Sequence, residues 1–225
     1  MDGMFNPASA TGGKNLDNNK ISVDTFNRLA EKYQQKYMDS DLYTDTYDVF
    51  FELVEDDHAA ILDIACGPGN IAHYLLNKRP GFRIDGIDLA PRMIELARIN
   101  NPTASFEVMD SRDIASIGKT YDAVISGFCT PYLDKEAVTR LIADVRGLLK
   151  AGGVFYLSTM EDAYEKSAFQ TSDSGDRVYI YYYPFDYLER SLVANGFRIV
   201  ETRRKAFRPE KGPPATDLFI FAKAV

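Results

Sequence analysis

Short apolar runs alternate with amphipathic segments between residues 60 and 158, which is the pattern of repeated strand–helix units. The amphipathic segments predict helices over about 70–78 and 91–100, the second of which begins with a proline, a residue favoured at that place. A longer helix with an apolar stripe over 138–149 is expected to stop at Gly152–Gly153. The apolar runs predict strands at 60–64, 82–87, 105–109, 121–126 and 154–158.

The chain before residue 60 has two parts of different character. Residues 1–20 are rich in Gly, Asn, Asp, Ser and Ala. Such a segment buries too little apolar surface to offset its ordering entropy, so we expect a mobile tail. A helical cap is expected over 21–57, with its second helix over 43–54. Apolar residues at three- and four-residue steps indicate its first helix: Phe26, Leu29, Ala30, Tyr33 and Tyr37.

After residue 158 the alternation stops, and the polar residues 160–178 are expected to be irregular. The loop between the last two predicted strands is too short for the helical crossover that a parallel pair requires, so these strands should be antiparallel neighbours. The predicted fold is one α/β domain over 21–225, with a doubly wound, mostly parallel seven-stranded sheet whose last strand is antiparallel. Its remaining elements are an aromatic run at 179–185, a helix around Leu188 and Leu192 that ends at Asn195–Gly196, and strands at 197–205 and 217–223.

The segment Ile61-Leu-Asp-Ile-Ala-Cys-Gly-Pro-Gly-Asn70 joins the first of the alternating strands to its helix. Gly67 and Gly69 let the backbone turn sharply and approach a ligand closely, and the helix behind them begins with free amide hydrogens. Nineteen positions after Gly69, Asp88 ends the second strand, where a carboxylate can accept hydrogen bonds from both hydroxyls of a ribose. The segment therefore predicts a nucleoside site at the carboxyl ends of the strands.

The spacing of this turn fits two kinds of ligand. Gly67, Gly69 and Ala72 satisfy the permissive dinucleotide pattern G-x-G-x-x-G/A. Asp63, however, would repel a pyrophosphate and suits a ligand with a positively charged ammonium and sulfonium. Pro68 also removes one backbone donor that a phosphate cradle would use. The turn thus favours a cationic nucleoside over a dinucleotide.

Charge narrows the range of partners. The chain has 225 residues, with 26 Lys and Arg against 33 Asp and Glu, and a formal net charge of −7. This balance disfavours a general nucleic-acid binder. The dense basic strip Arg203, Arg204, Lys205 and Arg208 is interpreted as a solvated strand face, with an anionic substrate or nucleic acid as the alternative.

The two cysteines, Cys66 and Cys129, lie far apart and lack metal-ligand spacing. Each adjoins an apolar run, so both are interpreted as buried free thiols, which suit a reducing cytoplasm. The sequence shows no signal peptide and no apolar run of the ~18 residues that a membrane span needs. We therefore expect a cytoplasmic protein without a metal or a membrane partner; a homodimer stays open.

The segment Leu-Asp-Ile-Ala-Cys-Gly-Pro-Gly resembles the glycine-rich motif of the class I S-adenosylmethionine-dependent methyltransferases of small-molecule type. The resemblance covers about residues 25–225. It includes Gly-Ile-Asp88-Leu, Glu-Val-Met-Asp110-Ser, Tyr-Asp-Ala-Val-Ile-Ser-Gly-Phe, Leu-Leu-Lys-Ala-Gly-Gly and Asn-Gly-Phe, in the family's order. It implies the Rossmann-like methyltransferase fold, S-adenosyl-L-methionine as cofactor, and a small-molecule methyl acceptor.

The resemblance also implies site residues. Asp63 and the turn would hold the methionine part, Asp88 the ribose, and Asp110 with Ser111 the adenine edge. Asp110 is alternatively an N-cap, and Tyr33, Tyr37 and Phe128 are alternatively core residues. The implied cofactor contacts are Tyr33, Asp63, Ala65, Cys66, Gly67, Gly69, Asn70, Asp88, Leu89, Met93, Asp110, Ser111, Ser126, Gly127 and Phe128.

The acceptor is not defined by the sequence, and no histidine lies where a general base is expected. The resemblance implies a substrate-covering insertion over 159–184, and the candidate acceptor contacts are Tyr37, Tyr132, Tyr181 and Tyr183; alternatively, alternate tyrosines of that run face the core. The stretch 126–132 lacks the Asn/Asp-Pro-Pro-Tyr/Phe motif of enzymes that methylate amino groups of nucleic acids. A non-catalytic nucleoside-binding protein and a nicotinamide-dependent oxidoreductase are the alternatives to a methyltransferase.

Overall fold

The computed structural model describes residues 6–7, 18–207 and 214–225. Helices and strands alternate through most of this length. The helices are α1 (Asn18–Arg28), α2 (Ala30–Tyr37), α3 (Thr44–Leu53), α4 (Asn70–Lys78), α5 (Pro91–Asn100), α6 (Lys135–Leu148) and α7 (Phe185–Ala194). The strands are β1 (Asn6–Pro7), β2 (Ala60–Ile64), β3 (Arg83–Asp88), β4 (Ser105–Val108), β5 (Tyr121–Ser126), β6 (Leu149–Glu161), β7 (Ala168–Thr171), β8 (Arg177–Ile180), β9 (Phe197–Phe207) and β10 (Ala215–Ala224). Short 3-10 helices cover Ser111–Ile117, Thr130–Tyr132 and Tyr164–Lys166.

The main sheet has seven strands in the order β4-β3-β2-β5-β6-β10-β9. Strands β2, β3, β4, β5 and β6 pair in parallel, whereas β10 is antiparallel to both β6 and β9. The predicted doubly wound sheet with its antiparallel last strand is therefore confirmed.

Both faces of this sheet are covered, because successive side chains of a strand point to opposite sides. On β2, Ile61 packs into the core beneath α3, α4 and α5, whereas Leu62 and Ile64 pack into the core beneath α6 and α7. Such doubly covered strands are nearly continuous apolar runs, which is why the sequence located them well.

The start of β6 differs from the prediction. The helix ends at Leu148 and the strand begins at Leu149, ahead of the glycines that were expected to separate them. Gly152 has a φ of +75°, and a β-carbon on Gly153 would come within 3.1 Å of the Asp122 carbonyl oxygen. The glycine pair thus forms a bend inside the strand, next to an irregularity in its register with β5.

Two segments expected to lack structure contain strands. Within 160–178, β7 and β8 form an antiparallel pair, to which β1 adds a third strand. Of the predicted tail over 1–20, Asn6–Pro7 and the first turn of α1 are ordered in regular structure, and the rest lies outside the described residues.

The small sheet holds α1 in place beside the main sheet. Thr25 Oγ1 donates to the carbonyl oxygen of Arg177 at 2.7 Å, and Ser22 Oγ accepts from the backbone N–H of Tyr179 at 3.1 Å. Both hydrogen bonds join residues more than 150 positions apart in the chain, so the local sequence pattern could not predict them.

Among the described helices, none combines the length and apolar character needed to cross a membrane.

Candidate active site

Two adjoining cavities open at the carboxyl ends of the parallel strands, the expected ligand position in such sheets. They contain about 770 and 570 Å³ of empty space, and we call them the first and the second cavity. Both values include space that is open to solvent. The two cavities share five lining residues: Tyr33, Ala65, Gly67, Gly127 and Phe128.

Most of the predicted cofactor residues meet at these cavities. The first cavity is additionally lined by Asp88, Leu89, Met93, Asp110 and Ser111, and the second by Cys66 and Asn70. Of the predicted acceptor residues, Tyr37 lines the second cavity and Tyr132 the first.

Asp88 connects the glycine turn to the loop before α5. Its carboxylate oxygens accept hydrogen bonds from the backbone N–H groups of Gly67, at 3.0 Å, and Ala90, at 2.8 Å. Burial raises the pKa of Asp88, although these backbone donors oppose the shift. Because each carboxylate oxygen has two lone pairs, both retain capacity toward hydroxyl groups in the first cavity.

The two glycines of the turn have different surroundings. Gly67 has a φ of +56°, and a β-carbon there would lie 3.7 Å from Tyr33, on the cavity side. Gly69 has a φ of +80°, and its β-carbon would lie 2.4 Å from Asn101 Nδ2. Gly69 therefore packs the turn against α5, and it is not among the residues that line either cavity.

Asp63 lies behind the cavities rather than in their lining. Its side chain is 1% exposed, and neither carboxylate oxygen has a hydrogen-bond partner within the described part of the chain. Burial, together with the charge of Asp88, raises the pKa of Asp63 to about 8. An unpaired buried carboxyl is costly, so this position favours a cationic group of a ligand.

Ser126 was also predicted to contact the cofactor, and the structure places it elsewhere. It is fully buried at the end of β5, between Ile64 and Leu157 of the adjacent strands. The following residues, Gly127 and Phe128, line both cavities. The cavity lining after β5 thus begins at Gly127.

Ala65 and Phe128 adopt left-handed backbone conformations, with φ values of 57° and 54°. Each follows the end of a central strand, and each lines both cavities. For residues with a β-carbon, such a conformation costs about 1–3 kcal/mol and persists only where the surroundings impose it. The backbone N–H of Phe128 donates to Ser158 Oγ at 2.9 Å, which helps hold this conformation.

Asp110 combines the two roles considered for it. It caps the 3-10 helix by accepting from the backbone N–H of Arg112 at 2.9 Å, and it lines the first cavity. Burial alone would raise its pKa, but the hydrogen bonds and charge of Arg112 outweigh burial and lower it. Asp110 is therefore an ionised acceptor at neutral pH.

The N-terminal helices contribute more to the site than the sequence indicated. Phe26 was assigned only to an apolar stripe, yet it lines the first cavity, with its ring 6.0 Å from Tyr33 and 5.1 Å from Tyr132. Three further residues of α1 line this cavity and were missed: Asn19, Ser22 and Val23. The apolar stripe predicted which face of the helix is buried, but it did not predict that this face borders the first cavity.

Two predicted acceptor residues lie away from both cavities. Tyr183 is fully buried, and its hydroxyl donates to the carbonyl oxygen of Leu133 at 2.5 Å. Tyr181 packs against Tyr164 and Tyr179, at centroid distances of 5.9 and 4.6 Å. The alternative interpretation, that alternate tyrosines of this run face the interior, is correct for Tyr183.

The second cavity contains residues that sequence reasoning missed. They come from three separate stretches of the chain: Ser40, Tyr43, Tyr47, Ile71, Tyr156 and Ser158. The hydroxyl of Tyr43 donates to Asp217 Oδ2 at 2.6 Å, across 174 positions of the chain. No local pattern signals such a pair.

The basic strip is engaged in ion pairs. Arg204 binds Glu161, Lys205 binds Asp45, and Arg203 binds Glu201. Arg208 lies outside the described residues. The charges of the described part of the strip are thus balanced, in agreement with a solvated strand face.

Comparison with known proteins agrees with this geometry. A family model described as a methyltransferase domain matches residues 61–153. The malonyl-[acyl-carrier protein] O-methyltransferase of Acetivibrio thermocellus is 31% identical over 144 residues, which cover 62% of this chain and 49% of that protein. The demethylmenaquinone methyltransferase of Thermotoga maritima is 29% identical over 146 residues, which cover 63% and 61%. The chain spans about half the length of the curated relatives it matches.

A solved structure extends the likeness to nearly the whole chain. The 1,6-didemethyltoxoflavin-N1-methyltransferase of Burkholderia thailandensis, crystallised with 1,6-didemethyltoxoflavin and S-adenosylhomocysteine, has a TM-score of 0.72. It is 19% identical, and the match covers 98% of this chain and 95% of that one. At this identity the likeness shows the fold. With the strand order and the glycine turn, the matching family model makes residues 61–153 of this chain similar to a methyltransferase domain.

Proposed function

We propose that this protein transfers a methyl group from S-adenosylmethionine to a small-molecule acceptor. The observation that carries the proposal is Asp63, a buried carboxyl without a hydrogen-bond partner in the described chain, directly behind a cavity lined by Asp88. A cofactor with an ammonium, a sulfonium and a ribose matches this combination of acids.

The remaining residues fit the same cofactor. Asp88 would accept from the ribose hydroxyls, and Asp110 with Ser111 would meet the adenine edge. Leu89 and Met93 offer apolar contact in the first cavity. When bound, the cofactor supplies an electrophilic methyl group, and the protein supplies orientation, which alone is worth effective molarities of about 10⁵ M or more.

Several observations support a small acceptor. The second cavity adjoins the first and shares five lining residues with it. The names of two of the similar proteins refer to the small molecules demethylmenaquinone and 1,6-didemethyltoxoflavin, and that of a third refers to malonyl-[acyl-carrier protein]. The described residues of the basic strip are ion-paired, which disfavours nucleic acid. Two free buried thiols support a reducing compartment such as the cytoplasm.

Calorimetric titration with S-adenosylhomocysteine tests the cofactor site. The wild-type protein should bind it, and Asp88→Asn should bind at least about tenfold more weakly, because a hydrogen bond to a charged acceptor contributes about 1.5–3 kcal/mol. Asp85→Asn is the matched control: it removes a carboxylate from the same strand that lines neither cavity and binds Lys119 and Tyr121. Absence of binding by folded wild-type protein, or equal binding by Asp88→Asn, would refute the proposal.

A further inference from the structure

The glycine turn and helix α2 face each other where the two cavities meet. Tyr33 of α2 lines both cavities, and its Cε1 lies 3.7 Å from the position that a β-carbon on Gly67 would take. A cofactor held by the turn would therefore lie beside this ring, and aromatic rings offer a large contact area. The distance between the turn and α2 then determines how closely the site fits the cofactor.

Asn100, the last residue of α5, contacts both the turn and α2 from outside the two cavities. Its Nδ2 donates to the carbonyl oxygen of Pro68 at 2.8 Å and to Oε1 of Gln34 at 2.7 Å. The same nitrogen lies 3.6 Å from Sδ of Met38, which is a weak acceptor. Because a side-chain amide has two N–H groups, Asn100 can donate one to the turn and the other to α2 at the same time.

The turn has a second attachment to α5, which does not involve α2. Asn101 is 3% exposed, and its Nδ2 donates to the carbonyl oxygen of Gly69 at 3.0 Å. A substitution of Asn100 therefore leaves the turn attached to α5 through the next residue of the chain. The hydrogen bond to Gln34 distinguishes Asn100 from its neighbour, because it extends the attachment to α2.

The opposite end of α5 holds α1 and the start of α2. The backbone N–H of Arg92 donates to Asn27 Oδ1 at 2.9 Å, and the guanidinium of Arg92 binds Glu31 at 2.6 Å. Arg92 and Asn100 are eight residues apart, which is about 12 Å along a helix. The bond between Asn100 and Gln34 therefore holds a different part of α2 from the one that Arg92 holds.

We propose that Asn100 positions the cofactor site by fixing the distance between the glycine turn and the Tyr33 ring. This inference rests on the proposed methyltransferase function. Asn100 lines neither cavity, so it acts through other residues and is a positioning residue. Gln34 directly follows Tyr33 in the same helix. A displacement of Gln34 away from the turn would therefore also displace the ring.

Gln34→Leu tests this link, because it removes the acceptor on α2 and leaves the bond from Asn100 to Pro68 in place. In calorimetric titration it should bind S-adenosylhomocysteine about three- to tenfold more weakly than the wild type, the range expected for one lost hydrogen bond. Asn100→Leu should weaken binding at least as much. Gln34→Glu keeps an acceptor at the same position and should restore wild-type affinity. The matched control is Gln35→Leu, the same change at the next, exposed position of α2, which should bind as the wild type does.

A double-mutant cycle with Tyr33→Leu tests whether the link acts through the ring. If it does, Gln34→Leu should have little further effect on the affinity for S-adenosylhomocysteine once the ring is absent, so the two losses should not be additive. A merely structural role of Gln34 would not depend on the ring. The two losses of affinity would then add, and thermal unfolding without cofactor would show the same decrease in melting temperature in both backgrounds.

The results separate this inference from the proposed function. If folded wild-type protein does not bind S-adenosylhomocysteine, the methyltransferase function fails and the inference fails with it. If the wild type binds and Gln34→Leu binds equally well, the role of Asn100 is refuted and the function stands. Additive losses in the cycle, or weak binding by Gln34→Glu, would refute that role in the same way.

Discussion

Replacing Asp63 with asparagine should change how the stability of the protein without cofactor depends on pH. The folded protein raises the pKa of Asp63 from its usual value of 3.8 to about 8, mainly through burial. Between these values the unfolded chain has lost the proton that the folded chain keeps. The folded state therefore binds more protons, and the free energy of unfolding falls as pH rises, by about 1.4 kcal/mol per pH unit from this group.

The variant Asp63→Asn lacks this dependence because its amide does not ionise. Urea unfolding at about pH 6 and about pH 7.5 should show the wild type losing about 2 kcal/mol more than the variant over this interval. Asp113→Asn is the control, since it removes an exposed carboxylate from the 3-10 helix and leaves the buried one in place. Its pH dependence should parallel that of the wild type.

The same proton has a second consequence if Asp63 meets the ammonium of the cofactor. A nearby positive charge lowers the pKa of a carboxyl group, so binding near neutral pH should release a proton. With a pKa of about 8, the free protein holds about 0.9 of a proton at pH 7. Calorimetry in buffers of different ionisation enthalpy measures that release. Equal pH slopes for wild type and Asp63→Asn, together with no proton release, would refute the reasoning.

Two further outcomes follow from the geometry of the turn and the burial of the thiols. Gly69→Ala should destabilise the protein by more than about 1 kcal/mol, since its β-carbon would lie 2.4 Å from Asn101 Nδ2, whereas Gly67→Ala should mainly weaken S-adenosylhomocysteine binding; chemical unfolding and calorimetry compare the two. Cys66 and Cys129 are buried, and burial raises the pKa of Cys129 to about 12. Cys66 lines the second cavity and Cys129 the first, but burial disfavours both thiolates, so both should react with a disulfide reagent far more slowly in the native protein than in denaturant, and equal rates would contradict this expectation.

The sequence predicts the fold well where local and global preferences agree. Strands β2 and β5 match their predicted bounds, and α4 and α5 lie where periodicity placed them. Each of these elements carries its own signal, an apolar run or an amphipathic stripe. One side of the first cavity is predictable for the same reason, since Asp88, Asp110 and Ser111 follow directly from strand ends, whereas the residues of α1 that line it were missed.

The second cavity could not be predicted in this way. Tyr43 precedes α3, Tyr156 lies within β6, and Asp217 lies near the start of β10, and only the closed sheet brings them together. The strands β7 and β8 were missed for a related reason. Strand β8 forms hydrogen bonds with Ser22 and Thr25 of α1, more than 150 positions away, and a polar segment gives no local sign of such a distant partner.

The local rules fail mainly at the site itself. Ala65 and Phe128 hold a backbone conformation that costs each of them about 1–3 kcal/mol, and Asp63 keeps a carboxyl group unpaired in the interior. All three lie at or directly behind the surfaces shared by the two cavities. A folding requirement alone would favour glycine at the strained positions and an apolar residue at Asp63. A ligand-binding site explains why the two strained residues and the unpaired carboxyl group lie together. A bound cation would pair with the carboxyl group of Asp63, and the strained strand ends would set the position of that ligand.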